Sequence, residues 1–483
     1  MDKIFSHLKE FSYQRTIFNL LHWDMETFMP SGAIDDRAQR LSYIRALMHQ
    51  HMTGNEYKKL LRDFEKNLSP TKANKKLLAE LIWDYKIQKV IPEAHVRELS
   101  SLQAKAGHVW SLAKKNNDLK SFLPYLQKLI DLKRKEARLY KAKTPYDALL
   151  RVYDRDYTVD EVSSLFSELK EGLLDLSQKV QKQNKFVKVK ELKGPFSIDA
   201  QKSLNDKIGE IFGLPNQYSR LDISSHPFST TISPWDQRIT TRYDEGHLDS
   251  IGSTMHEVGH ALYELNLPKK FEGSPLSEAA SLSLHESQSR FWENIIGRSR
   301  DFMDFFHPLM KEHFPKQFKN YSVEELFLYM NHSVPGPIRV ESSELYYNFH
   351  IIIRFEIEQM IFNGGLNAKD IPDVWTKKYQ DYLGITPKNH AQGMLQDSHW
   401  AGGDFGYFPT YTLGNLISGS LYFSMKKEIK SFNKDLKNGQ FKEVLNYLTK
   451  NIHSKGRLIG SQDVVGKLNV NDYLRYLSEK FGV

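Results

Sequence analysis

Apolar residues recur at helical spacing along most of the chain. Over residues 121–142, and again over 472–480, they stand at intervals of three and four, which places them on one face of an α-helix. Alternation typical of strands is confined to two short stretches, 186–190 (FVKVK) and 238–243 (RITTRY), and the second is rich in β-branched residues. The pattern predicts a mainly α-helical protein with a small β-sheet.

No obvious boundary divides the chain. The 483 residues contain no internal repeat, low-complexity tract or Gly/Ser-rich linker. The pattern is helical almost throughout the first 180 residues, and the residues with catalytic potential fall between about 226 and 411. Apolar residues make up 40% of the chain, which is enough for a large core. We therefore expect one domain over 1–483, a large helical body that carries the catalytic motifs.

Composition excludes several classes of protein. There are no cysteines, which excludes disulfides, thiolate metal ligands and a cysteine nucleophile. The net charge is +8, but the lysines enriched in 114–144 and 179–193 are interleaved with Leu, Asp and Glu, which indicates solvated helix faces rather than a nucleic-acid site. No uncharged apolar run is long enough for a bilayer, and the charged N-terminus lacks the apolar core of a signal peptide. The sequence predicts a soluble cytoplasmic protein without nucleic-acid or membrane partners.

The most informative segment is HEVGH at 256–260, which has the H-E-x-x-H pattern of zinc hydrolases. Residues four apart share a helix face, so the imidazoles of His256 and His260 can bind the same metal ion. The carboxylate of Glu257 would then lie beside the metal, where a general base is needed. Apolar residues at helical spacing surround the motif: Ile251, Met255, Val258, Ala261, Leu262 and Leu265. The segment predicts a metal hydrolase with its motif on a helix.

Two imidazoles do not complete such a site, because a catalytic zinc ion normally has three protein ligands and one open position. Glu286 follows His260 by 26 residues in another stretch of helical period, a separation that suits a second helix packed against the first. Glu272, Glu278 and His285 are alternatives. Spacing favours Glu286 modestly, since the adjacent His285 points about a quarter-turn away on a helix.

Several separated segments resemble the motifs of the thermostable carboxypeptidase Taq family of zinc metallocarboxypeptidases. HEVGH at 256–260 and HESQ at 285–288 are similar to the two metal-binding motifs of that family. Four other segments match or resemble its signatures: HPF at 226–228, DQRIT (DxRxT) at 236–240, GMLQDSHW (GxxQDxHW) at 393–400 and HWDMETFMPSGA at 22–33. The likeness therefore extends over nearly the whole chain, from about residue 20 to 415.

One family signature, IRxxAD, is only partly present. It appears as IRVESS at 338–343, where Ser342 and Ser343 replace the family's Ala and Asp and Arg339 is retained. Serine can still make a hydrogen bond, but it cannot supply the charge of a carboxylate. The departure leaves the class of enzyme intact and leaves the preference among C-terminal residues open.

The resemblance implies a helical fold with a long, deep groove, like that of neurolysin and angiotensin-converting enzyme, and a homodimer. It implies removal of the C-terminal residue from peptides with a free C-terminus, by one divalent ion held by His256, His260 and Glu286. Zinc is the expected ion, although cobalt or manganese also suits these ligands. Glu257 would take a proton from the attacking water and later deliver it to the leaving amine.

Other residues of the family signatures are candidates for contact with the substrate. Arginine binds carboxylates through a planar, permanently charged group, as recognition of a free C-terminus requires. Four residues are predicted to bind substrate: Arg238, Arg339, Asp236 and His226. Tyr411 is the first choice, and His399 the second, as hydrogen-bond donor to the oxyanion that forms on the scissile carbonyl. The strand predicted at 238–243 would pair with an extended peptide.

Two other functions fit parts of the sequence. A metallo-oligopeptidase that cuts internal bonds would use the same metal chemistry, and it would tolerate amidation of the peptide C-terminus. A peptide-binding protein with a relic metal site would need no intact catalytic motif, and the complete HEVGH segment argues against it. For a nucleic-acid-binding protein with such a site, retention on a polyanion that disappears at modest salt would indicate mere charge.

Overall fold

The computed structural model describes residues 2–483, and its first part consists of helices. Eight α-helices precede residue 184: α1 (Asp2–Thr27), α2 (Ile34–Thr53), α3 (Asn55–Lys66), α4 (Lys72–Lys89), α5 (Glu93–Asn116), α6 (Leu119–Leu139), α7 (Pro145–Tyr153) and α8 (Val159–Gln183). The helix expected over 121–142 is α6. Capping side chains start several of them, as where Thr158 Oγ1 accepts a hydrogen bond from Glu161 N and the Glu161 carboxylate accepts one from Thr158 N.

A small sheet follows α9 (Ile198–Phe212). Its strands are β1 (Ser219–Ile223), β2 (Ser229–Ser233) and β3 (Asp236–Thr241), and β3 lies in the middle, parallel to β1 and antiparallel to β2. The strand predicted at 238–243 is thus confirmed, two residues earlier than expected. Because β3 is hydrogen-bonded on both sides, the prediction that it pairs with a peptide is wrong.

The strand predicted over 186–190 is also wrong. These residues form a turn and an irregular segment after α8, and the ring of Phe186 is buried against Phe327 and Phe481, at centroid distances of 5.7 and 4.7 Å. A strand requires neighbouring strands for its backbone groups. Here one long-range backbone bond is made, from Ser333 N to Phe186 O (2.8 Å). Phe186 is buried, and Val187 and Val189 are half-buried between exposed lysines, so the alternating exposure of an irregular segment accounts for the pattern.

The rest of the chain is again helical. It comprises α10 (Asp249–Leu265), α11 (Leu282–Arg290) continued by a π-helical turn (Phe291–Ile296), α12 (Arg300–His313), α13 (Val323–Met330), α14 (Glu344–Phe362), α15 (Ile371–Leu383), α16 (Pro409–Glu428), α17 (Phe432–Lys437), α18 (Lys442–Asn451), α19 (Ser461–Val465) and α20 (Val470–Phe481). The helix expected over 472–480 lies within α20. Over residues 2–483, every helix is too short or too polar to cross a lipid bilayer.

The buried apolar side chains form two clusters. The large one joins the helices from α5 to α20 and contains most of α10, α14 and α16. The small one joins Ile4 and Leu8 of α1 to Tyr57 of α3, Leu81 of α4 and Leu276, which lies in the segment before α11. The N-terminal helices therefore pack directly on the segment that leads into the second metal motif.

A cavity of about 760 Å³ separates α1 from the catalytic part of the chain. Its walls include Thr16 and Asn19 of α1, residues 229–234 and His285. Thr16 Oγ1 donates to Ile232 O (2.7 Å) and Asn19 Nδ2 donates to Thr231 O (2.9 Å), so α1 is attached to β2 at the cavity rim. The cavity reaches the second metal motif at His285, and His256, His260 and Glu286 are not among its wall residues within the described part of the chain.

Two glycines permit close packing around α11. A Cβ atom on Gly259 of α10 would lie 2.7 Å from Gln288 O and Ser289 Cα, and one on Gly414 of α16 would lie 2.9 Å from Glu286 Cβ. These distances are shorter than van der Waals contact, and two of the three atoms they involve belong to the backbone. The glycine of HEVGH, which directly precedes the ligand position His260, is thus required where α10 and α11 touch.

We expect Gly259→Ala to lower the free energy of unfolding by about 1–3 kcal/mol, because the added methyl group overpacks the contact with α11. Displacement of α11 should also weaken metal binding. Urea denaturation and a metal titration would measure the two effects. Gly107→Ala is the matched control, since that helical glycine has open space around its Cβ position and alanine favours helix. Equal stability of the two variants would contradict the proposed packing.

Candidate metal centre and active site

Three side chains converge where α10 and α11 meet. His256 and His260 project from successive turns of α10, and Glu286 projects from α11, which begins where Ser281 Oγ accepts a hydrogen bond from Leu284 N (3.2 Å). Glu286 Oε2 lies 3.8 Å from His256 Nε2 and 3.4 Å from His260 Nε2. One ligand atom from each residue lies within 4.8 Å of the others. These spacings suit three ligands around one divalent ion.

Hydrogen bonds on the far sides of His256 and Glu286 leave one acceptor atom of each turned inward. His256 Nδ1 lies 2.9 Å from Glu293 Oε2, and Arg290 Nε donates to Glu286 Oε1 (2.7 Å). A neutral His256 that donates from Nδ1 to Glu293 presents the lone pair of Nε2 to the remaining oxygen of Glu286. Two acceptors that face each other are stabilised by a cation between them, so the residues present fit a metal ion.

The alternative third ligands lie outside this group. His285 Nε2 lies 2.9 Å from Glu264 Oε1, and its ring packs against that of His260 at a centroid distance of 4.5 Å. Glu278 forms ion pairs with two arginines of the cavity wall, and Glu272 is exposed. Although burial opposes ionisation, the charges of His256 and Arg290 hold the pKa of Glu286 well below its usual range.

Sequence reasoning missed the carboxylate that supports His256. Glu293 lies in the π-helical turn after α11 and accepts hydrogen bonds from Arg290 (3.3 Å) and Arg298 (2.9 Å) as well. Such a partner orients a ligand imidazole and raises its basicity. Glu286, Arg290 and Glu293 are spaced by four and three residues, so helical periodicity alone could have identified the set.

We expect Glu293→Gln to weaken metal affinity by roughly 10–100-fold, because glutamine can still accept the His256 proton but carries no charge. Competition with a chromogenic chelator would measure the affinity. Glu312→Gln, at an exposed carboxylate paired with Lys207, should leave it unchanged. An unaltered affinity in Glu293→Gln would show that the carboxylate does not support the ligand.

Glu257 is available for proton transfer. Its carboxylate is buried beside the ligand group and, within residues 2–483, has no hydrogen-bond partner among protein side chains or backbone. Burial raises the pKa of Glu257 to about 7, and the charge of Glu286 acts in the same direction. A carboxylate with such a pKa can accept and return a proton near neutral pH.

Two predicted oxyanion donors form a pair beside the group. His399 Nε2 lies 3.0 Å from Tyr411 Oη, and the guanidinium of Arg290, which binds Glu286, lies 5.9 Å from the Tyr411 ring centre. Burial lowers the pKa of His399 to about 3, so its imidazole is neutral. Burial, with the neighbouring Tyr407, raises the pKa of Tyr411, so its hydroxyl keeps its proton.

Arg339 lies next to this pair, where it makes three bonds. It donates to Asp397 Oδ1 from Nε (2.9 Å) and Nη2 (2.8 Å) and to Tyr347 Oη from Nη1 (2.7 Å). Its guanidinium lies 5.1 Å from the ring centre of Tyr411. Asp397 also accepts a hydrogen bond from Nε of Arg354 (2.7 Å). The side chain of Arg354 is fully buried. Sequence reasoning missed both Asp397 and Arg354, although Asp397 lies within GxxQDxHW.

Arg238 and Asp236 form an ion pair with each other. Arg238 Nη2 donates to Asp236 Oδ2 (2.8 Å), a second bond joins Nε to Oδ1, and the guanidinium lies 4.6 Å from the ring centre of Trp23 in α1. The HPF segment is attached to the same strand, since Phe228 N donates to Thr240 Oγ1 (3.0 Å). The DxRxT motif therefore joins β3 to α1 and to the segment that carries His226.

The two serines that replace the family's Ala and Asp have different surroundings. Ser342 Oγ lies 2.6 Å from His350 Nε2, a contact that alanine cannot make. Ser343 precedes α14, is buried, and leaves Oγ without a hydrogen-bond partner in the described chain. Burial and the charge of Arg354 lower the pKa of His350, so Ser342 faces a neutral imidazole.

The fold and this group of side chains define a metal-dependent hydrolase of the H-E-x-x-H type. Comparison with known proteins shows the family: the chain belongs to the Carboxypeptidase Taq (M32) metallopeptidases, whose model matches residues 3–481. The chain is therefore a metallocarboxypeptidase, the predicted family and activity are confirmed, and an oligopeptidase that cuts internal bonds is not favoured.

Several known proteins are similar to this chain over nearly their full length. Carboxypeptidase 1 of Bacillus subtilis is 37% identical over 487 residues, which cover 99% of this chain and 97% of that protein. Thermostable carboxypeptidase 1 of Thermus thermophilus is 35% identical over 98% of this chain and 96% of its own. The structure of metallocarboxypeptidase 1 of Trypanosoma cruzi superimposes with a TM-score of 0.94 at 32% identity, covering 99% of each chain. The mainly helical architecture is thus that of carboxypeptidases of this family.

Proposed function

We propose that His256, His260 and Glu286 bind one zinc ion, with which the chain releases the C-terminal residue of peptides. The observation that carries this proposal is the convergence of two Nε2 atoms and one carboxylate oxygen within 4.8 Å. Two imidazoles and a carboxylate are a common ligand set for catalytic zinc, although cobalt and manganese accept it too. When bound, such an ion polarises the scissile carbonyl and makes water more acidic.

Glu257 moves the proton in this proposal. Its carboxylate takes a proton from the water that attacks the carbonyl and delivers it to the amine that leaves. Burial beside His256 and, among residues 2–483, the lack of a hydrogen-bond partner keep the carboxylate available for both transfers.

Tyr411 and His399 stabilise the oxyanion in this proposal. Tyrosine can donate its single proton to the substrate oxygen only if His399 does not accept it. The neutral imidazole would then carry its proton on Nε2 and donate to Tyr411 Oη across their 3.0 Å contact. The two residues act as a unit, with Tyr411 in contact with substrate and His399 holding the direction of its hydroxyl.

The four residues predicted to bind substrate divide into two sets. Arg339 and His226 lie at the end of the site occupied by Asp397, where we place the C-terminus of the peptide. Arg238 and Asp236 are bonded to each other, so we propose that they secure β3 against α1 rather than contact the peptide.

We propose that the whole of 1–483 forms one catalytic domain, because the large apolar cluster joins helices from α5 to α20 and the small one joins α1 to the segment before α11. The cavity between α1 and the metal motifs would be part of a deep groove like that of neurolysin and angiotensin-converting enzyme. A homodimer and a cytoplasmic location stay predictions, which sedimentation velocity and cell fractionation test.

The proposed function is tested with matched peptides. We expect the zinc-loaded protein to release the last residue from peptides with a free C-terminus and to leave their C-terminal amides almost uncut. Removal of the metal by a chelator should abolish release, and zinc should restore it. Mass spectrometry of the products would show whether the last residue is released from each peptide. Equal cleavage of acid and amide, or full activity without metal, would contradict the proposal.

A further inference from the structure

Glu358 of α14 is a fully buried carboxylate that accepts hydrogen bonds from three neutral groups. Its Oε2 accepts from Tyr146 Oη (2.6 Å) and Gly406 N (2.9 Å), and its Oε1 accepts from Trp400 Nε1 (2.7 Å). Burial raises the pKa of Glu358 to about 7, because these donors offset only part of the cost of desolvation. No neutral side chain of this shape can accept all three bonds.

Two of the three donors belong to the irregular segment 399–408, which precedes α16. Trp400 directly follows His399, and Gly406 lies five residues before Tyr411, which is in the first turn of α16. The carboxylate on α14 therefore binds this segment at two points, and both lie between the residues proposed to stabilise the oxyanion.

Close packing confines the segment between α7 and α14. Gly406 has a φ of 89°, and a Cβ atom there would lie 2.7 Å from the carbonyl carbon of Leu149 in α7, closer than van der Waals contact. Tyr146, the third donor, stands one turn before Leu149 on the same helix. Phe405 packs against Phe362 of α14, with ring centres 5.0 Å apart. The bonds to the carboxylate therefore orient a segment that two helices already enclose.

The geometry of the segment sets the contact between His399 and Tyr411. His399 Nε2 lies 3.0 Å from Tyr411 Oη, and the ring of His399 packs against that of Phe408 at a centroid distance of 4.4 Å. The ring of Trp400 lies 6.4 Å from that of Phe408, and Tyr411 N donates to Phe408 O (3.2 Å). A displacement of Trp400 would therefore change the contact between His399 and Tyr411.

We propose that Glu358 is a positioning residue for the hydrolysis, which acts through segment 399–408 to hold Tyr411 and His399 in contact. Its carboxylate lies outside the metal-ligand group. This inference rests on the proposed function, in which Tyr411 donates to the oxyanion. Donors stabilise an oxyanion when they are aimed at its position beforehand. Loosening the segment would therefore slow the chemical step without weakening the binding of peptide or metal.

We expect Glu358→Gln to lower kcat for a peptide acid roughly 10–100-fold, the effect of a small misplacement of a catalytic group, with KM and metal affinity little changed. Glutamine has nearly the same shape, but its amide nitrogen is a donor and cannot accept one of the three bonds. Steady-state kinetics with an N-blocked dipeptide acid would measure kcat and KM, and chelator competition would measure the metal affinity.

A second background tests whether the effect passes through Tyr411. In Tyr411→Phe the hydroxyl is absent, so the addition of Glu358→Gln should lower kcat by less than about twofold more. A carboxylate that only stabilised the fold would lower kcat by the same factor in both backgrounds. Trp400→Phe removes one of the bonds by another route, since it keeps an aromatic ring but loses the donor, and it should also lower kcat.

Glu356→Gln is the matched control, because this half-buried carboxylate lies on the same helix and is bound by Lys378 and Tyr382 at the protein surface. Its kcat should equal that of the unmodified enzyme. Thermal unfolding would check that all variants fold.

Full kcat in Glu358→Gln, or an equal loss in both backgrounds, would overturn the inference while the proposed function stands. If Glu358→Gln does not fold, full kcat in Trp400→Phe would overturn it in the same way. If Tyr411→Phe keeps full kcat, the proposed role of Tyr411 is wrong and the inference falls with it. If the unmodified enzyme does not release the C-terminal residue, the proposed function fails first.

Discussion

The Glu257→Gln variant is expected to lose kcat by roughly 10²–10⁴-fold, the range over which a positioned general acid–base acts. Glutamine has nearly the same shape, but it cannot accept the proton of the attacking water or return it to the amine. The ligand group does not include this side chain, so metal content should stay at one ion per chain. Single-turnover hydrolysis and elemental analysis of the same sample would measure both quantities.

Glu272→Gln is the control for this experiment, because that carboxylate is exposed at the cavity wall and lies outside the ligand group. Its kcat and metal content should match those of the unmodified protein. Undiminished hydrolysis by Glu257→Gln would remove Glu257 from the mechanism. Loss of the metal together with activity would show that the role of Glu257 is structural.

The Asp397→Asn variant is expected to lose about 3–5 kcal/mol of the free energy of unfolding, because it leaves Arg339 and Arg354 buried without their counter-charge. Although burial opposes it, the charges of the two arginines hold the pKa of Asp397 far below its usual range. The ionised carboxylate therefore stabilises the fold at neutral pH. This contribution declines as the pH falls below the pKa of an aspartate in the unfolded chain, about 4. Urea denaturation at pH 7 and at lower pH would measure it.

The difference in stability between Asp397→Asn and the unmodified protein should accordingly shrink as the pH is lowered. Asp36→Asn is the control, since its partner Arg40 and the carboxylate are both exposed, and it should unfold at the same urea concentration as the unmodified protein. A small or pH-independent effect of Asp397→Asn would show that the two arginines are stabilised by other groups.

Local periodicity was sufficient to predict the first part of the site. His256, Glu257 and His260 belong to one helix, so their relative placement follows from four-residue spacing. Glu286 required a second helix at a defined distance, and spacing alone left His285, Glu272 and Glu278 as alternatives. The contact that decides among them depends on Gly259, whose missing side chain lets α11 approach.

The supporting residues depend on contacts between distant parts of the chain. Asp397 binds Arg339 and Arg354, which lie 58 and 43 residues away, and no periodicity relates these positions. Arginine side chains were likewise expected to face the substrate, whereas Arg238 is bonded to Asp236 two residues away. The sequence shows which residue types are present, but the partner of each charge is a property of the folded chain.

The central claim is that one ion binds between His256, His260 and Glu286. Anomalous diffraction at the zinc absorption edge, from crystals of the zinc-loaded protein, tests it most directly. We predict a single strong peak about 2.0–2.2 Å from His256 Nε2, His260 Nε2 and Glu286 Oε2. A peak elsewhere, or one with the Glu286 carboxylate beyond bonding distance, would contradict the account.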